Sequence, residues 1–336
     1  MILCLLMIFS LAGCGSNGNE ETAGDGITGH LYIYTSEPID LVSAMLEDFA
    51  TKNPGITYEL VRAGSGEVKA KIAGELEATG ETLANVIWIA DLGYMYQLDE
   101  QGMIYHYTPD AAKDLPDAYK YNDGMGHEVR AIYTVLAYNT LAIDEANAPK
   151  DWMDVTTDTY KGMVALANPA VSGGAMTALS AHIENADKVG WDWYKALAAI
   201  DAKLEQSNGT LKNKVASGEY KAVVTVDYLP RNAKAEGSPV DYVYPASGSV
   251  LVNTPLCLVN NLGENEAAAK AFVDYMFEVE TQKLFVEQGY VPMNSAAAEG
   301  SNVPTYDQIT VLPATSEFMQ KNTSDMQAEF LNIFGE

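Results

Sequence analysis

From His30 onward the chain alternates short β-branched or aromatic runs with amphipathic segments, and this alternation narrows its fold more than any other feature. "LYIYT" is followed by "PIDLVSAMLEDFA", which puts Val42, Met45, Leu46 and Phe49 on one face with Pro38 in the first turn. "ITYELV" leads through "RAGSGEVKAKIAGEL" to a helix carrying Val68, Ile72 and Leu76, with Ser65 as its expected N-cap. "NVIWIA" leads to "DLGYMYQLDEQG", which Gly102 should stop. Strands alternating with helices predict an α/β fold with a mostly parallel, doubly wound sheet. In such sheets ligands sit at the strand-to-helix corners, beyond the carboxyl ends of the strands.

At 336 residues the chain exceeds the usual size of one domain, so two lobes are expected. The pattern changes near residues 120–130, where "YNDGMGHE" reads as a loop. "VRAIYTVLAYNT" then reads as one strand long enough to cross between lobes. A second unit follows with "GMVALA", "GGAMTALSAHI", "DKVGWDWYKALAAI", "NGTLKNKVASGEY", "AVVTVD" and "DYVYP". "SVLVNTPLCLVNN" should return the chain to the first sheet, ahead of a helical stretch that buries Phe272, Val273, Met276 and Phe277. The expected division is lobe 1 over 29–128 and 252–300, lobe 2 over 129–251, and a C-terminal helical segment, 301–336, packing on the lobes.

Three corners carry Ser, Thr or Gly at a helix start: Thr35 and Ser36; Ser65 and Gly66; and Ser172, Gly173 and Gly174. Helix N-termini present free N–H donors and a partial positive charge, so converging corners can hold an anion without net basic charge. Ordinary capping accounts for any one of them taken alone. The sequence holds only three arginines, Arg62, Arg130 and Arg231, each near a corner or the crossing, and a guanidinium matches phosphate oxygens two at a time. Tyr34, Trp88 and Tyr228 lie near strand ends where a ring could stack on a ligand, although core packing is the commoner role. Asp91 and Asp227 lie where a carboxylate could accept ligand hydroxyls or an amine, Asp91 also being placed to cap the next helix.

The charge of −26, from 46 acidic and 20 basic residues, argues against nucleic acid as a partner. Catalytic signatures are missing too. There is no G-x-S-x-G, H-E-x-x-H or Walker-type lysine loop, and His30, His106, His127 and His182 are scattered without ligand spacing. An enzyme is not expected, nor is a cofactor. Cys4, Cys14 and Cys257 offer no disulfide framework.

The N-terminal "MILCLLMIFSLAGCGSNGNEETAGDG" joins an apolar run to Leu11-Ala12-Gly13-Cys14 and then to polar, low-complexity sequence. It resembles a bacterial lipoprotein signal with its lipobox. That resemblance implies a signal over 1–14, lipidation at Cys14, a disordered tether over 15–28 and a membrane-anchored, extracytoplasmic protein.

The order of "LYIYTSEPIDLVSAMLEDFATKNPGI", "NVIWIADLGYMYQLDEQGMI", "YKGMVALANPAVSGGA", "VASGEYKAVVTVDYLPRNAKAEGSPVDYVYPASGSV" and "EAAAKAFVDYMFEVETQKLFVEQGYVPMN" resembles the ferric-binding-protein-like branch of extracellular solute-binding proteins of ABC transporters, over about residues 30–300. The resemblance implies a type II clamshell of two α/β lobes, each a doubly wound mixed sheet flanked by helices, closing over a ligand that a monomer delivers to permease subunits. Iron-binding members use a His after the first strand, a Glu after the third and a Tyr pair before a helix of the second lobe. Here those positions hold Pro38, Ala90 and Asp227-Tyr228. A ferric site needs several hard oxygen donors, and only Tyr228 matches, with Asp91 one residue away. The same branch includes sugar-phosphate and phosphonate binders. The ligand expected is therefore a small organophosphate held by Thr35, Ser36, Arg62, Ser65, Gly66, Trp88, Asp91, Ser172, Gly173, Gly174, Asp227 and Tyr228. Ferric iron on Tyr228, Asp227 and Asp91 is the alternative.

Overall fold

The computed structural model describes residues 26–335. The lipobox Cys14 and most of the expected tether lie outside them. Two mixed sheets organise the chain, each flanked by helices. In the first, β1 (Gly29–Thr35) pairs in parallel with β2 (Ile56–Arg62) and with β3 (Val86–Trp88). In the second, β4 (Thr134–Asn139) lies antiparallel to β7 (Ala222–Val226) and to β8 (Val240–Val243). There β5 (Val164–Ala167) runs parallel to both β6 (Lys203–Glu205) and β7. The late strand β9 (Leu256–Val259) returns to the first sheet, antiparallel to β3.

Alternation along β1 explains its two-sided burial, since successive side chains of a strand point to opposite faces. Leu31 and Ile33 meet α1 (Ile39–Lys52) through Val42, Met45 and Phe49, while Tyr34 faces α2 (Ser65–Thr79) through Val68 and Ile72. α3 (Leu92–Glu100) covers the same face with Met95, and Gly102, at φ 71°, follows its end. In the second sheet α4 (Gly173–Glu184) and α5 (Gly190–Ala199) cover one face with Leu179, Trp193 and Leu197. α6 (Asn208–Ser217) and α7 (Tyr228–Ala235) take the other with Leu211, Val215 and Ala233.

Four local expectations change. "VRAIYTVLAYNT" is not one strand: Arg130–Ala131 pairs with Val291–Pro292, Tyr133 bridges to Leu251, and β4 begins at Thr134. The chain thus crosses between sheets on short pieces held by different partners. The late helical stretch divides into α8 (Glu266–Tyr275) and α9 (Val279–Glu287), because Glu278 turns extended at ψ 142°. Pro38 precedes α1 as its N-cap residue instead of lying in its first turn. Ser65 is the first residue of α2, and the extended Gly64 is its N-cap.

α10 (Ser316–Phe334) closes the chain. It buries Met326 and Phe330 in the core of the second sheet, and Gln320 Nε2 donates to the Gly93 carbonyl of α3 at 3.3 Å. Among the described residues no helix is long and apolar enough to cross a membrane.

Candidate functional site

Register decides which corners meet. Thr35, the last residue of β1, pairs with Arg62 on one side and with Trp88 on the other, so the corners after β1, β2 and β3 stand side by side. In the second sheet Ala167 pairs with Glu205 and Leu166 with Val224, which aligns the corners leading to α4, α6 and α7.

Thr35 is buried, and its hydroxyl holds the corner itself. Oγ1 donates to the Trp88 carbonyl at 2.7 Å and accepts from the Glu37 N–H at 3.0 Å. Ser36 is partly exposed, and its Oγ accepts from the Ala90 N–H at 3.3 Å. Arg62 is the one exposed arginine. Its Nε donates to the Glu37 carbonyl at 3.1 Å and its Nη2 to that of Ser36 at 3.4 Å. Ser65 and Gly66 lie at the start of α2, where a Cβ on Gly66 would meet nothing within 4 Å.

On the second sheet, Ser172 caps α4 by accepting from the Ala175 N–H at 3.3 Å. A Cβ on Gly173 would lie 3.9 Å from the Ala90 carbonyl, so this corner of the second sheet reaches the Ser36 corner of the first sheet. Asn208 was not anticipated. It opens α6, its Oδ1 accepts from Thr225 Oγ1 at 3.3 Å, and its Nδ2 lies 3.9 Å from where Gly174 would carry a Cβ.

Four expected contributors serve the fold instead. Trp88 is fully buried, with Nε1 donating to the Thr254 carbonyl at 3.0 Å and its ring edge-on to Phe285, so it offers no face to a ligand. Asp227 is fully buried. Its Oδ1 accepts from the Tyr133 N–H at 3.1 Å and its Oδ2 from Arg231 Nη2 and Tyr244 Oη, both at 2.9 Å. Asp91 caps α3 through the Tyr94 N–H at 2.9 Å and pairs with Lys69 at 2.6 Å. Tyr34 is buried as well, with its hydroxyl on Glu75 at 2.7 Å.

Tyr228, the first residue of α7, is partly buried against Tyr290 with ring centroids 4.6 Å apart. Burial raises the phenol pKa of Tyr228 above its ordinary value. The Arg130 guanidinium lies 4.5 Å from the Tyr290 ring and pairs with Glu37, both partners buried. Tyr290 and Glu37 escaped the sequence reading because their roles arise from contacts across 160 and 93 positions. Only the nearness of Glu37 to Ser36 in "YTSEPID" hinted at it.

The profile of bacterial extracellular solute-binding proteins matches residues 44–311. The chain belongs to that family. This solute-binding protein is 24% identical, over 80% of its length and 79% of the relative's, to a probable ABC transporter periplasmic-binding protein of Sinorhizobium fredii. Its fold is that of two-lobed type II binding proteins. Iron-bound HitA from Pseudomonas aeruginosa superposes with a TM-score of 0.72 at 19% identity, over 90% of this chain and 99% of that one. AfuA from Actinobacillus pleuropneumoniae, with fructose-6-phosphate bound, superposes with a TM-score of 0.71 at 21% identity, over 91% and 98%. Solute-binding proteins of this kind act in transport outside the cytoplasm, together with permease subunits of ABC transporters.

Proposed function

We propose that this solute-binding protein captures a small phosphorylated organic anion, of the sugar-phosphate or phosphonate type, between its lobes and presents it to a permease. The lobes are 29–128 with 252–300, and 129–251, and the anchor is a lipid on Cys14. The observation that carries the reading is the start of α4. There Ser172 caps the helix, a Cβ on Gly173 would lie 3.9 Å from the Ala90 carbonyl of the Ser36 corner, and Asn208 Nδ2 lies 3.9 Å from where Gly174 would carry a Cβ. A helix N-terminus with glycine at its first positions favours a tetrahedral anion. The exposed Arg62 guanidinium at the facing edge adds a cation.

Iron fits the same residues less well. Two of the three oxygen donors considered for it, Asp227 and Asp91, are already paired with Arg231 and Lys69. Among the described residues no group of three or more His, Cys, Asp and Glu is placed to hold a metal ion. The test is a melting-temperature screen of the folded chain with glucose 6-phosphate, aminoethylphosphonate and ferric citrate. A ligand at 100 times its Kd should add about 2.7 kcal/mol. A rise with a phosphate or phosphonate supports the reading. A rise with ferric citrate alone, lost in Tyr228→Phe, overturns it in favour of iron.

A further inference from the structure

Behind the cleft, where the chain crosses between the sheets, two carboxyl groups share one arginine. Glu37 contacts Arg130 directly, and Arg130 Nη1 donates to Thr254 Oγ1 at 3.1 Å. Thr254 Oγ1 in turn donates to Glu128 Oε2 at 3.1 Å, so Glu128 reaches the arginine only through a hydroxyl. Glu128 is completely buried and accepts two further hydrogen bonds, from Tyr121 Oη at 2.6 Å and from the Thr254 N–H at 2.8 Å. Its backbone belongs to the same crossing as Arg130, and Thr254 lies on the returning segment that leads into β9. With Glu37 ionised, Arg130 is already neutralised, and an ionised Glu128 would be a surplus buried charge.

We propose that Glu128 is a proton store coupled to ligand capture: when an anion enters between the lobes its carboxyl binds a proton, so anion affinity rises as pH falls. The proposal rests on the anionic ligand proposed above. The coupling path is short in contacts. Arg130 lies 4.5 Å from the ring of Tyr290, which packs on Tyr228, and its partner Glu37 belongs to the Ser36–Arg62 corner. An anion there competes for the field of Arg130 and makes a second carboxylate behind it costlier.

Burial acts on Glu128 and on the groups around it in different directions. Burial pushes its carboxyl up to about 7, against the hydrogen bonds from Tyr121 and Thr254 and the pull of Arg130. Tyr121 is held well above its ordinary value by burial and by Glu128, Tyr119 is pushed up to about 12 and the Cys257 thiol is pushed up, so all three stay protonated. The adjacent His127 is pushed below its ordinary value by burial, its ring nitrogen Nε2 lying 2.8 Å from the Tyr107 carbonyl.

The experiment follows Glu128 directly. Infrared difference spectra of the folded chain between pH 5 and 9, with and without inorganic sulfate, read the protonated-carboxyl band, and sulfate keeps its charge over that range. The expected result is a band, absent from Glu128→Gln, that is lost near pH 7 without sulfate and at higher pH with it. Calorimetry should then show sulfate binding tighter on the acid side, about tenfold for each pH unit by which the band moves, and flat in Glu128→Gln. Tyr121→Phe, which removes one donor to the carboxylate and keeps the ring, should move the band upward. Sulfate binding that leaves the band where it was overturns the coupling and leaves the anionic ligand standing. No binding of sulfate, glucose 6-phosphate or aminoethylphosphonate overturns the ligand reading and the coupling with it. A titrating band would then mark the failure as one of ligand class. Absence of any band near neutrality overturns the proton store itself.

Discussion

Arg130 and Arg231 are both buried where the lobes meet, but their surroundings differ in charge. Arg231 faces one carboxylate, Asp227, four residues earlier, and its other donors reach neutral oxygens: Tyr242 Oη at 3.0 Å, Tyr244 Oη and the Gly289 carbonyl. That set is balanced, and it fastens α7 of the second lobe to the turn after α9, where Asn232 also donates to the Gln288 carbonyl at 2.9 Å. Arg130 faces Glu37 and, through Thr254, Glu128. A balanced buried pair has no surplus charge to relieve, whereas a pair with a spare carboxyl group can relieve one by taking up a proton. The contrast separates a fastening from a control point, and it can be broken by substitution on either side.

The largest effect should come from unbalancing the balanced pair. Asp227→Ala leaves the Arg231 guanidinium buried without its counter-charge and removes the acceptor of the Tyr133 N–H. Stripping one partner from a buried pair typically costs about 3–5 kcal/mol, and urea unfolding followed by tryptophan fluorescence should show a loss of that size. Glu128→Gln at pH 8 should cost nothing or stabilise, because it removes a surplus charge. If the two substitutions cost the same, the distinction between the arginines fails.

The second effect is a pH dependence of stability that belongs to Glu128. Its folded pKa of about 7 lies above the ordinary 4.5, so the native state binds more protons than the unfolded state between those values. Stability from this group is complete below about pH 4.5 and is lost as pH rises through about 7. The gap corresponds to roughly 3 kcal/mol over that window. Urea midpoints measured from pH 5 to 8 should fall more steeply in the wild type than in Glu128→Gln. Parallel curves would show that Glu128 stays ionised throughout and that Arg130 balances both carboxylates.

The same contrast marks how far the sequence could be read. The helix faces built on Val42, Met45, Leu46 and Phe49, and the strand "LYIYT", were legible because burial follows their period. The order of the corners was legible too, since strand-helix alternation fixes it. What was hidden depends on which polar group finds which partner. Asp227 looked like a ligand residue, yet the spacing "DYLPR" puts Arg231 one helical turn away, a signal for the pair that the sequence did carry. Nothing local marks Glu128. Its burial comes from Thr254, 126 positions on, and Tyr121, seven before. Ser65 missed its cap by one residue because Gly64 takes the extended conformation and offers its N–H to Glu67 at 3.0 Å.

The smallest effect tests whether the control point listens to the cleft. Ser172→Asp replaces one good N-cap with another, so the stability of α4 should change by only a few tenths, roughly 0.5 kcal/mol at most. It also fixes a carboxylate at the helix start, where the ligand's anionic group is proposed to lie, and so imitates a captured anion in the unliganded protein. The substituted chain should lose its melting response to phosphate esters. Its Glu128 band should move upward by roughly a few tenths of a pH unit, as a single charge does through an intermediate dielectric. Ser65→Asp, at the first turn of α2, puts the same charge at the other open helix start and keeps the helix favourable. A larger shift from Ser65→Asp than from Ser172→Asp would move the anion from the second lobe's corner to the first's. The Asp227–Arg231 pair serves as the internal control. Arg231 faces no second carboxylate, so the stability difference between wild type and Asp227→Ala should be the same in both backgrounds. If Ser172→Asp changes that difference instead of the Glu128 band, the cleft communicates with the fastening and not with the proton store.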